Sequence, residues 1–451
     1  MSATMSIPSG KGTFPRGIHP PERKQLNESA KIEVLPIPKQ VKVPLLQHTG
    51  APDEPVVKPR TEVAFGEMLG NSGAFVSAPV HSPIAGKTAK TTVATLPNGR
   101  HVAAIPVKAA GDQLEGQALW DEIFGGPWPT DGIAELDPES ITTAIREAGI
   151  VGLGGAAFPT HVKLERNPDK PIDTLMINGC ECEPYLNADN RLMVEAPEPV
   201  IAGALIAAHA AGSENVVIAI EDNKAEAFEA MTRAATSTKV QVVKVKTKYP
   251  QGGEKQLILA ALGRIVPTGG LPLDVGVVVM NVGTAAAAAR AVLRGKPLTH
   301  RVVSVTGQGI TQPKNILAPI GASYADLVEF AGGLRPDAGR VIAGGPMMGF
   351  ALGDLDTPIT KGTSGIVVLT QEEIRQREET SCVRCGRCVD VCPLNLVPTK
   401  IALACRHRDW DLAKRHHLLA CMECGCCAYA CPAGIPLVQL IRMGKATAPR
   451  N

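Results

Sequence analysis

The same spacing of cysteines occurs twice near the C-terminus of this 451-residue chain. In each motif three cysteines are separated by two residues, and a fourth cysteine, followed by proline, comes after three more. Three thiolates at that spacing can bind one face of an iron–sulfur cube, while the fourth reaches a neighbouring cube. The pattern therefore predicts two [4Fe-4S] clusters with crossed ligands, one held by Cys382, Cys385, Cys388 and Cys431, the other by Cys421, Cys424, Cys427 and Cys392.

Two other uses of these cysteines agree less well with the pattern. Structural zinc needs two pairs of thiolates per ion, and it leaves the third cysteine and the Cys-Pro of each motif unexplained. A disulfide framework is typical of short secreted chains, whereas this sequence is long and shows no signal peptide. Because cluster thiolates must stay reduced, we expect a cytoplasmic location and single-electron chemistry.

Composition and charge narrow the range of partners. Hydrophobic residues make up 44% of the chain and charged residues 20%, which is typical of soluble multidomain proteins. The net charge is only +2, without a concentrated block of lysine and arginine, so we expect no nucleic-acid partner. The longest apolar segments, residues 200–211 and 271–292, are interrupted by polar side chains. We therefore expect no transmembrane span in this chain.

The remaining sequence predicts a multidomain α/β and α+β fold. Residues 1–30 are polar and rich in proline, which is typical of an extended arm. Residues 31–110 alternate short β-rich runs with turns and predict a small barrel-sandwich domain. The predicted strands are residues 31–35, 41–46, 74–78, 84–96 and 101–107, and the turn at residues 97–99 joins the last two as a hairpin. Strands alternate with alanine-rich helices over residues 135–296, which predicts an α/β domain with a mainly parallel sheet. A first helix is predicted from Pro138, with Asp137 or a neighbour as its cap. The predicted strands are residues 174–177, 215–220, 240–245 and 275–280, and the further helices are residues 200–211, 224–235, 255–262 and 284–293. Residues 299–370 indicate a β-grasp domain, and residues 375–445 a helical, ferredoxin-like domain that carries both cysteine motifs.

A cluster of glycines near the start of the α/β domain is a second candidate for chemistry. Gly152, Gly154 and Gly155 precede a predicted helix, where backbone amides and the helix terminus attract phosphate. The spacing is not G-x-G-x-x-G, and a tight turn is the alternative. Lys163 lies eight residues later and is placed to neutralise a phosphate, although a solvated surface lysine is the alternative.

Several segments resemble known flavoproteins. Residues 149–164 resemble the flavin-binding glycine loop in the NADH-oxidising flavoprotein subunit of respiratory complex I, and residues 178–184, 249–254 and 280–284 are similar to further segments of that pocket. Over residues 15–443 the chain resembles the C subunits of the Rnf (or Rsx) electron-transport complexes. Besides the cysteine motifs, the segments that carry this resemblance are residues 19–24, 43–52, 154–164, 182–185 and 344–349.

The resemblance implies a noncovalent FMN in the α/β domain, with NAD(H) stacked against it. The implied flavin-pocket residues are Gly152, Gly154, Gly155, Lys163, Asn178, Glu181, Asn281 and Thr284. Glu183 and Glu254 are implied on the nicotinamide side, as catalytic residues. The chain departs from the complex I pattern at three positions, where Leu153 replaces an arginine, Cys180 an aspartate and Ala157 a glycine.

The resemblance also implies a role and a location. It indicates an oxidoreductase that is the peripheral electron-input subunit of a membrane-bound NAD(H):ferredoxin oxidoreductase, at the cytoplasmic face of the bacterial inner membrane. Its partners would be the integral membrane and ferredoxin-like subunits of the Rnf complex, which couple electron flow to ion movement, and indirectly ferredoxin or flavodoxin. One alternative is a cobalamin reductase, whose relatives usually begin near the glycine loop. The other is a flavin-free electron wire or scaffold.

Overall fold

The computed structural model of this chain describes residues 10–374 and 378–449. The first nine residues of the predicted arm, and residue 375, where we placed the start of the cysteine domain, lie outside the described residues. The strands are β1 (Ile32–Val34), β2 (Gln40–Pro44), β3 (Glu54–Pro55), β4 (Glu62–Val63), β5 (Met68–Asn71), β6 (Val80–His81), β7 (Gly86–Thr88), β8 (Thr92–Thr95), β9 (His101–Ala109), β10 (Thr174–Gly179), β11 (Asn215–Glu221), β12 (Val240–Val245), β13 (Val277–Asn281), β14 (His300–Thr306), β15 (Lys314–Pro319), β16 (Ala338–Ala343), β17 (Phe350–Ala351) and β18 (Gly365–Thr370).

The helices connect these strands and build the C-terminal domain. They are α1 (Gly116–Ile123), α2 (Pro138–Glu147), α3 (Thr160–Leu164), α4 (Ala188–Glu195), α5 (Pro197–Ala211), α6 (Ala225–Ala234), α7 (Glu254–Leu262), α8 (Val282–Arg294), α9 (Tyr324–Phe330), α10 (Arg387–Asp390), α11 (Pro398–Arg406), α12 (Trp410–Arg415), α13 (Cys426–Ala430) and α14 (Leu437–Thr447). The predicted multidomain fold class is confirmed.

The N-terminal β domain consists of two small sheets. One has the order β2-β9-β7-β4 with β8 paired to β9, and the other the order β3-β5-β6. The predicted hairpin between β8 and β9 is confirmed, with Thr95 opposite His101. The strand predicted over residues 74–78 is wrong. Ser72 and Ser77 bond backbone groups of Ala74 there, and such side-chain bonds favour turns over strands.

Strand β1 does not join this domain, although we placed residues from 31 onward in it. It pairs in parallel with β15 at the edge of the β-grasp sheet, where Ile32 lies opposite Asn315. That sheet has the order β1-β15-β14-β18-β16-β17. A strand this short has a periodicity that fits either sheet, so only the tertiary pairing decided its partner.

The α/β domain has a fully parallel sheet in the order β12-β11-β10-β13, as predicted. Helix α2 starts as expected, because the Asp137 carboxylate accepts a hydrogen bond from the amide of Ser140 at 2.9 Å. Small residues let α5 lie close against α8. A Cβ at Gly203 would lie 1.8 Å from the carbonyl oxygen of Ala285, so this contact requires glycine.

Among the described residues, no individual helix is long and apolar enough to span a membrane. Helices α4 and α5 pass that test of length and composition only as a pair, and they are bent by 97° relative to each other.

Candidate functional site

The two cysteine motifs adopt the same local backbone. Arg384 and Glu423, at equivalent positions, have positive φ angles of 55° and 60°. Gly386 and Gly425, two residues later, have φ angles of 79° and 80° and precede the short helices α10 and α13. These left-handed residues turn the chain sharply between successive cysteines, which brings thiols from one short segment together.

The eight cysteines line two separate hollows. We call the inner hollow the one that is lined by Cys392, Cys421, Cys424 and Cys427, and the outer hollow the one that is lined by Cys382, Cys385, Cys388 and Cys431. The structure thus brings together the four cysteines of each predicted crossed set, because the fourth cysteine of each motif lines the hollow of the other. The assignment of these cysteines as cluster ligands stays a prediction. Within residues 10–374 and 378–449 no three potential ligands lie close enough to bind a single metal ion. A cubane bonds each thiolate to a different iron, and a hollow between thiolates suits that chemistry.

The two hollows differ in exposure. Cys385 of the outer hollow is exposed, whereas Cys392 and Cys427 of the inner hollow are buried. Two amides donate to sulfur at the inner hollow, from Leu396 to Cys392 and from Glu423 to Cys421, both at 3.4 Å. Such N–H···S bonds tune the potential of a bound cluster.

Of the four cysteines outside the predicted ligand sets, Cys426 lines the inner hollow, and Cys180, Cys182 and Cys405 line neither hollow. Cys405, which stands alone between the two motifs, is fully buried on α11, and a Cβ at Gly444 would lie only 2.2 Å from its sulfur. Cys426 is also fully buried, and its side chain forms a hydrogen bond with that of Cys424. It stands outside the regular spacing of the second motif, which predicts a non-ligand, and that role stays a prediction. Cys180 donates to the carbonyl of Ala219 at 3.4 Å inside the α/β domain.

The inner hollow lies directly against the α/β domain. The hydroxyl of Tyr249 donates to the carbonyl of Cys424 at 2.7 Å. The side chain of Gln256, on α7, donates to the carbonyl of Pro393 at 3.3 Å. Tyr249 lies in the loop between β12 and α7, and Gln256 lies in the first turn of α7. The inner hollow is therefore the one that faces the predicted nucleotide fold.

The strand order of the α/β domain creates a crevice. Strand β10 is flanked by β11 on one side and β13 on the other, so the order in which successive strands are added reverses between β10 and β13. In parallel sheets, ligands bind outside the carboxyl ends of strands at such a switch point. Asn178 and Asn281 lie opposite each other at these two carboxyl ends. The structure thus brings two of the predicted flavin residues together where a nucleotide is expected.

The glycine loop lies over this crevice and is held from behind by other domains. Arg301, in the β-grasp domain, donates to the carbonyl of Leu153 at 3.2 Å, and the amide of Thr49, in the β domain, donates to the carbonyl of Ala157 at 3.1 Å. In a planar trans peptide the next N–H points opposite to the bound C=O. The amide of Gly154 therefore points away from Arg301.

Lys163 and Glu254 form an ion pair at this crevice. Their charged atoms are 2.5 Å apart, and Lys163 also donates to the carbonyl of Val279, at 3.2 Å. Thr284 joins the site differently, because its buried hydroxyl accepts the amide of Leu153 at 2.8 Å. Thr284 therefore holds the glycine loop, while Lys163 provides a half-exposed cation beside it.

The Glu181 carboxylate is bound by other groups of the protein instead of facing open space. Its carboxylate accepts the amides of Asp189 and Asn190 at 3.0 and 3.2 Å, at the start of α4. The Asp189 carboxylate in turn accepts the side-chain amide of Asn281 at 2.6 Å. Burial, and then the nearby Glu181 carboxylate, raise the pKa of Asp189 to about 7. Asp189 is thus a part of the site that the sequence did not single out.

Glu183 points toward the β-grasp domain. Its two carboxylate oxygens accept the amides of Met347 and Met348, at 3.0 and 2.8 Å. A Cβ at Gly345 would lie 2.2 Å from Glu183 Oε2, so the carboxylate needs a glycine beside it. The Met347 carbonyl lies next to Gly425 of the second cysteine motif. Glu183 therefore connects the crevice to the β-grasp loop and the inner hollow.

Sequence reasoning missed two further residues that support the site, Arg301 and Lys24. Both are buried cations that bind backbone carbonyls, and neither stands in a pattern of known chemistry. Lys24 stands in a segment that we used for the resemblance, and that was the only available signal.

Comparisons with known proteins agree with this arrangement of domains. Four family models match consecutive segments, namely an RnfC barrel sandwich hybrid domain at residues 12–112, a Nuo51 FMN-binding domain at 145–290, an SLBB domain at 302–351 and a 4Fe-4S dicluster domain at 374–432.

Curated relatives align over most of the chain. The C subunit of a proton-translocating ferredoxin:NAD(+) oxidoreductase complex from Clostridium ljungdahlii is 45% identical, and the alignment covers 87% of this chain and 84% of that one. The C subunit of a Na(+)-translocating complex of the same type from Acetobacterium woodii is 42% identical over 96% of both chains. The C subunit of an ion-translocating oxidoreductase complex from Rhodobacter capsulatus is 39% identical, and that alignment covers 98% of this chain and 84% of the relative.

Proposed function

Because the chain belongs to the RnfC family, the C subunits of ion-translocating oxidoreductase complexes, we propose that it is an electron-input subunit that passes electrons between NAD(H), FMN and two [4Fe-4S] clusters. The observation that carries this proposal is the contact between the two candidate sites. The side chains of Tyr249 and Gln256, which lie close to the crevice in the α/β domain, donate hydrogen bonds to backbone carbonyls at the inner hollow. Electrons that leave a flavin in the crevice would therefore reach the inner hollow first and the more exposed outer hollow second.

The residues at the crevice fit a flavin mononucleotide. The outward amide of the glycine loop and the Lys163 cation provide the charge for its phosphate. Asn178 and Asn281 provide polar groups at the switch point, and Glu183 and Glu254 are proposed on the nicotinamide side. When bound, FMN accepts a hydride from NADH and releases the two electrons singly, which suits one-electron clusters.

The residues at the hollows fit the clusters for a different reason. Each hollow is lined by the four cysteines of one predicted ligand set, which come from two segments that are distant in sequence, and apolar side chains surround the inner hollow. The exposure of Cys385 places the outer hollow where a partner can approach. We propose that the acceptor is a ferredoxin-like or integral membrane subunit of the same complex, and that the chain lies peripherally at the cytoplasmic face of the membrane.

Anaerobic purification followed by NADH titration tests this function. We expect about eight iron and eight sulfide per chain, the content of two [4Fe-4S] clusters. We also expect a flavin band that NADH bleaches, and an EPR signal from reduced clusters that appears with it. Clusters without flavin would favour the electron wire, and zinc in place of iron would refute the proposal.

A further inference from the structure

The N-terminal arm, residues 10–28, lies across the junction of the α/β and cysteine domains. Ile18 and Tyr249 exchange backbone hydrogen bonds at 2.9 and 3.0 Å. Phe14 is buried, and the Lys248 ammonium both donates to its carbonyl and lies 4.8 Å from its ring centroid. The arm is therefore bound firmly to the α/β domain, at the residue whose hydroxyl bonds Cys424.

The same part of the arm also binds the cysteine domain. The Arg16 guanidinium donates to the carbonyl of Val389 at 2.6 Å, and the amide of Gly17 donates to the carbonyl of Val391 at 3.1 Å. Both carbonyls belong to residues that shortly precede Cys392, the last cysteine of the first motif. Gly17 has a φ of 76°, and a Cβ there would lie 2.5 Å from the Tyr249 carbonyl oxygen. Only glycine allows the arm to lie this close to both domains.

Farther along the arm, Lys24 enters the α/β domain. Its ammonium is buried and donates to the carbonyls of Glu181, Glu183 and Leu186, at 2.6, 2.9 and 2.6 Å. An ammonium has three donors, so all of them are satisfied by one six-residue segment. The amide of Tyr185 also donates to the carbonyl of Glu22, at 2.8 Å. The arm therefore fixes the segment that carries Glu181 and Glu183.

We propose that this arm is a positioning strap, with Lys24 and Arg16 as its positioning residues, that sets the distance and orientation between the crevice and the inner hollow. The proposal rests on the proposed function. Outside the strap, side-chain bonds such as those of Tyr249 and Gln256 join the two domains. Domains in one chain move relative to each other by default unless a large interface holds them. Electron transfer between cofactors slows steeply as they separate, so the strap governs its rate.

Three variants of the full, cofactor-loaded chain test the strap. Arg16→Ala removes an exposed side chain that bonds the cysteine domain, and Lys24→Met removes the buried ammonium. Lys11→Ala, an exposed lysine of the same arm, is the matched control. Stopped-flow absorbance follows the bleaching of flavin by NADH, and freeze-quench EPR follows reduction of the clusters. Arg16→Lys tests whether a restored donor rescues Arg16→Ala.

We expect Arg16→Ala to leave flavin reduction unchanged and to slow cluster reduction about tenfold or more, since small misplacements cost this much. Arg16→Lys should recover most of that rate, and Lys11→Ala should match the wild type. Lys24→Met should slow cluster reduction and also raise KM for NADH, because the segment of Glu183 loses its anchor.

Wild-type rates of cluster reduction in Arg16→Ala, with full iron and flavin, would overturn the strap even if Lys24→Met unfolds. A wild-type chain whose clusters NADH does not reduce would instead overturn the proposed function, and the strap with it. Slow cluster reduction in Arg16→Ala that Arg16→Lys does not reverse would also contradict the assigned role of this bond.

Discussion

Replacing the fourth cysteine of each motif makes it possible to tell the clusters of the two hollows apart. Cys431 belongs to the second motif but lines the outer hollow, and Cys392 belongs to the first motif but lines the inner one. With crossed ligands, Cys431→Ser removes the outer cluster and Cys392→Ser removes the inner one. In both variants iron should fall from about eight to about four atoms per chain, because each cluster holds four.

The two variants should differ in what NADH can reduce. In Cys431→Ser the remaining cluster lies in the inner hollow, which Tyr249 joins to the α/β domain, so NADH should reduce it as in the wild type. In Cys392→Ser the remaining cluster lies in the outer hollow, beyond the lost inner one. NADH should leave almost all of it oxidised, whereas dithionite should reduce it fully. Integrated EPR intensity after each reductant measures these fractions.

The opposite pattern would refute the crossed assignment. If Cys392→Ser kept a cluster that NADH reduces while Cys431→Ser lost it, each motif would bind its own cluster. Equal behaviour of the two variants would refute the order of electron transfer instead. Cys405→Ala is the matched control, because Cys405 is buried on α11 outside both hollows and its loss should keep about eight iron atoms.

Three further predictions concern single side chains. Lys163→Ala should weaken FMN binding to the apo chain by about 2 kcal/mol, the typical value of a charged hydrogen bond. The control Lys170→Ala breaks an ion pair with Asp274 and should leave FMN binding unchanged. Flavin fluorescence titration measures the affinity of both variants. Burial raises the pKa of Glu183 from 4.5 to about 7, so the folded state binds this proton more tightly than the unfolded state does. The free energy of unfolding should therefore fall as the pH rises from 4.5 to about 7. Glu183→Gln should flatten this pH dependence in denaturant titrations, and an unchanged slope would contradict the prediction. Asp137→Ala should lower the free energy of opening of α2, measured as faster hydrogen exchange in its first turn, and unaltered protection would exclude the cap.

Much of the α/β domain could be predicted because its signals are local. Strand β12 was predicted with its observed limits, and β10, β11, β13 and helices α5 to α8 within a few residues. Helix α2 was predicted with Asp137 or a neighbour as its cap, and the structure shows Asp137 in that role. Helix α4 was missed, since its start depends on the Glu181 carboxylate, which accepts amides of Asp189 and Asn190. A cap that comes from outside the first turn has no fixed sequence spacing, and the usual helix-start signals do not include it.

At the candidate site, too, features that depend on contacts distant in sequence could not be predicted. The switch point that pairs Asn178 with Asn281 follows from the strand order, and a sequence does not state that order. Arg301 supports the glycine loop from another domain, 148 residues away from Leu153 in the chain. Glu183, implied on the nicotinamide side, instead has its carboxylate bound by amides of the β-grasp loop; its catalytic role stays a prediction.

The sequence by itself determined the two cysteine motifs, the periodicity of the α/β domain and the order of the domains, because each of these depends on spacings of a few residues. Tertiary structure alone decided that β1 joins the β-grasp sheet, that the inner hollow faces Tyr249, and that Lys24 binds the segment of Glu183. These contacts join residues that are distant along the chain. Their partners are selected by burial and by the need to satisfy backbone carbonyls, and neither condition exists until the domains have packed together.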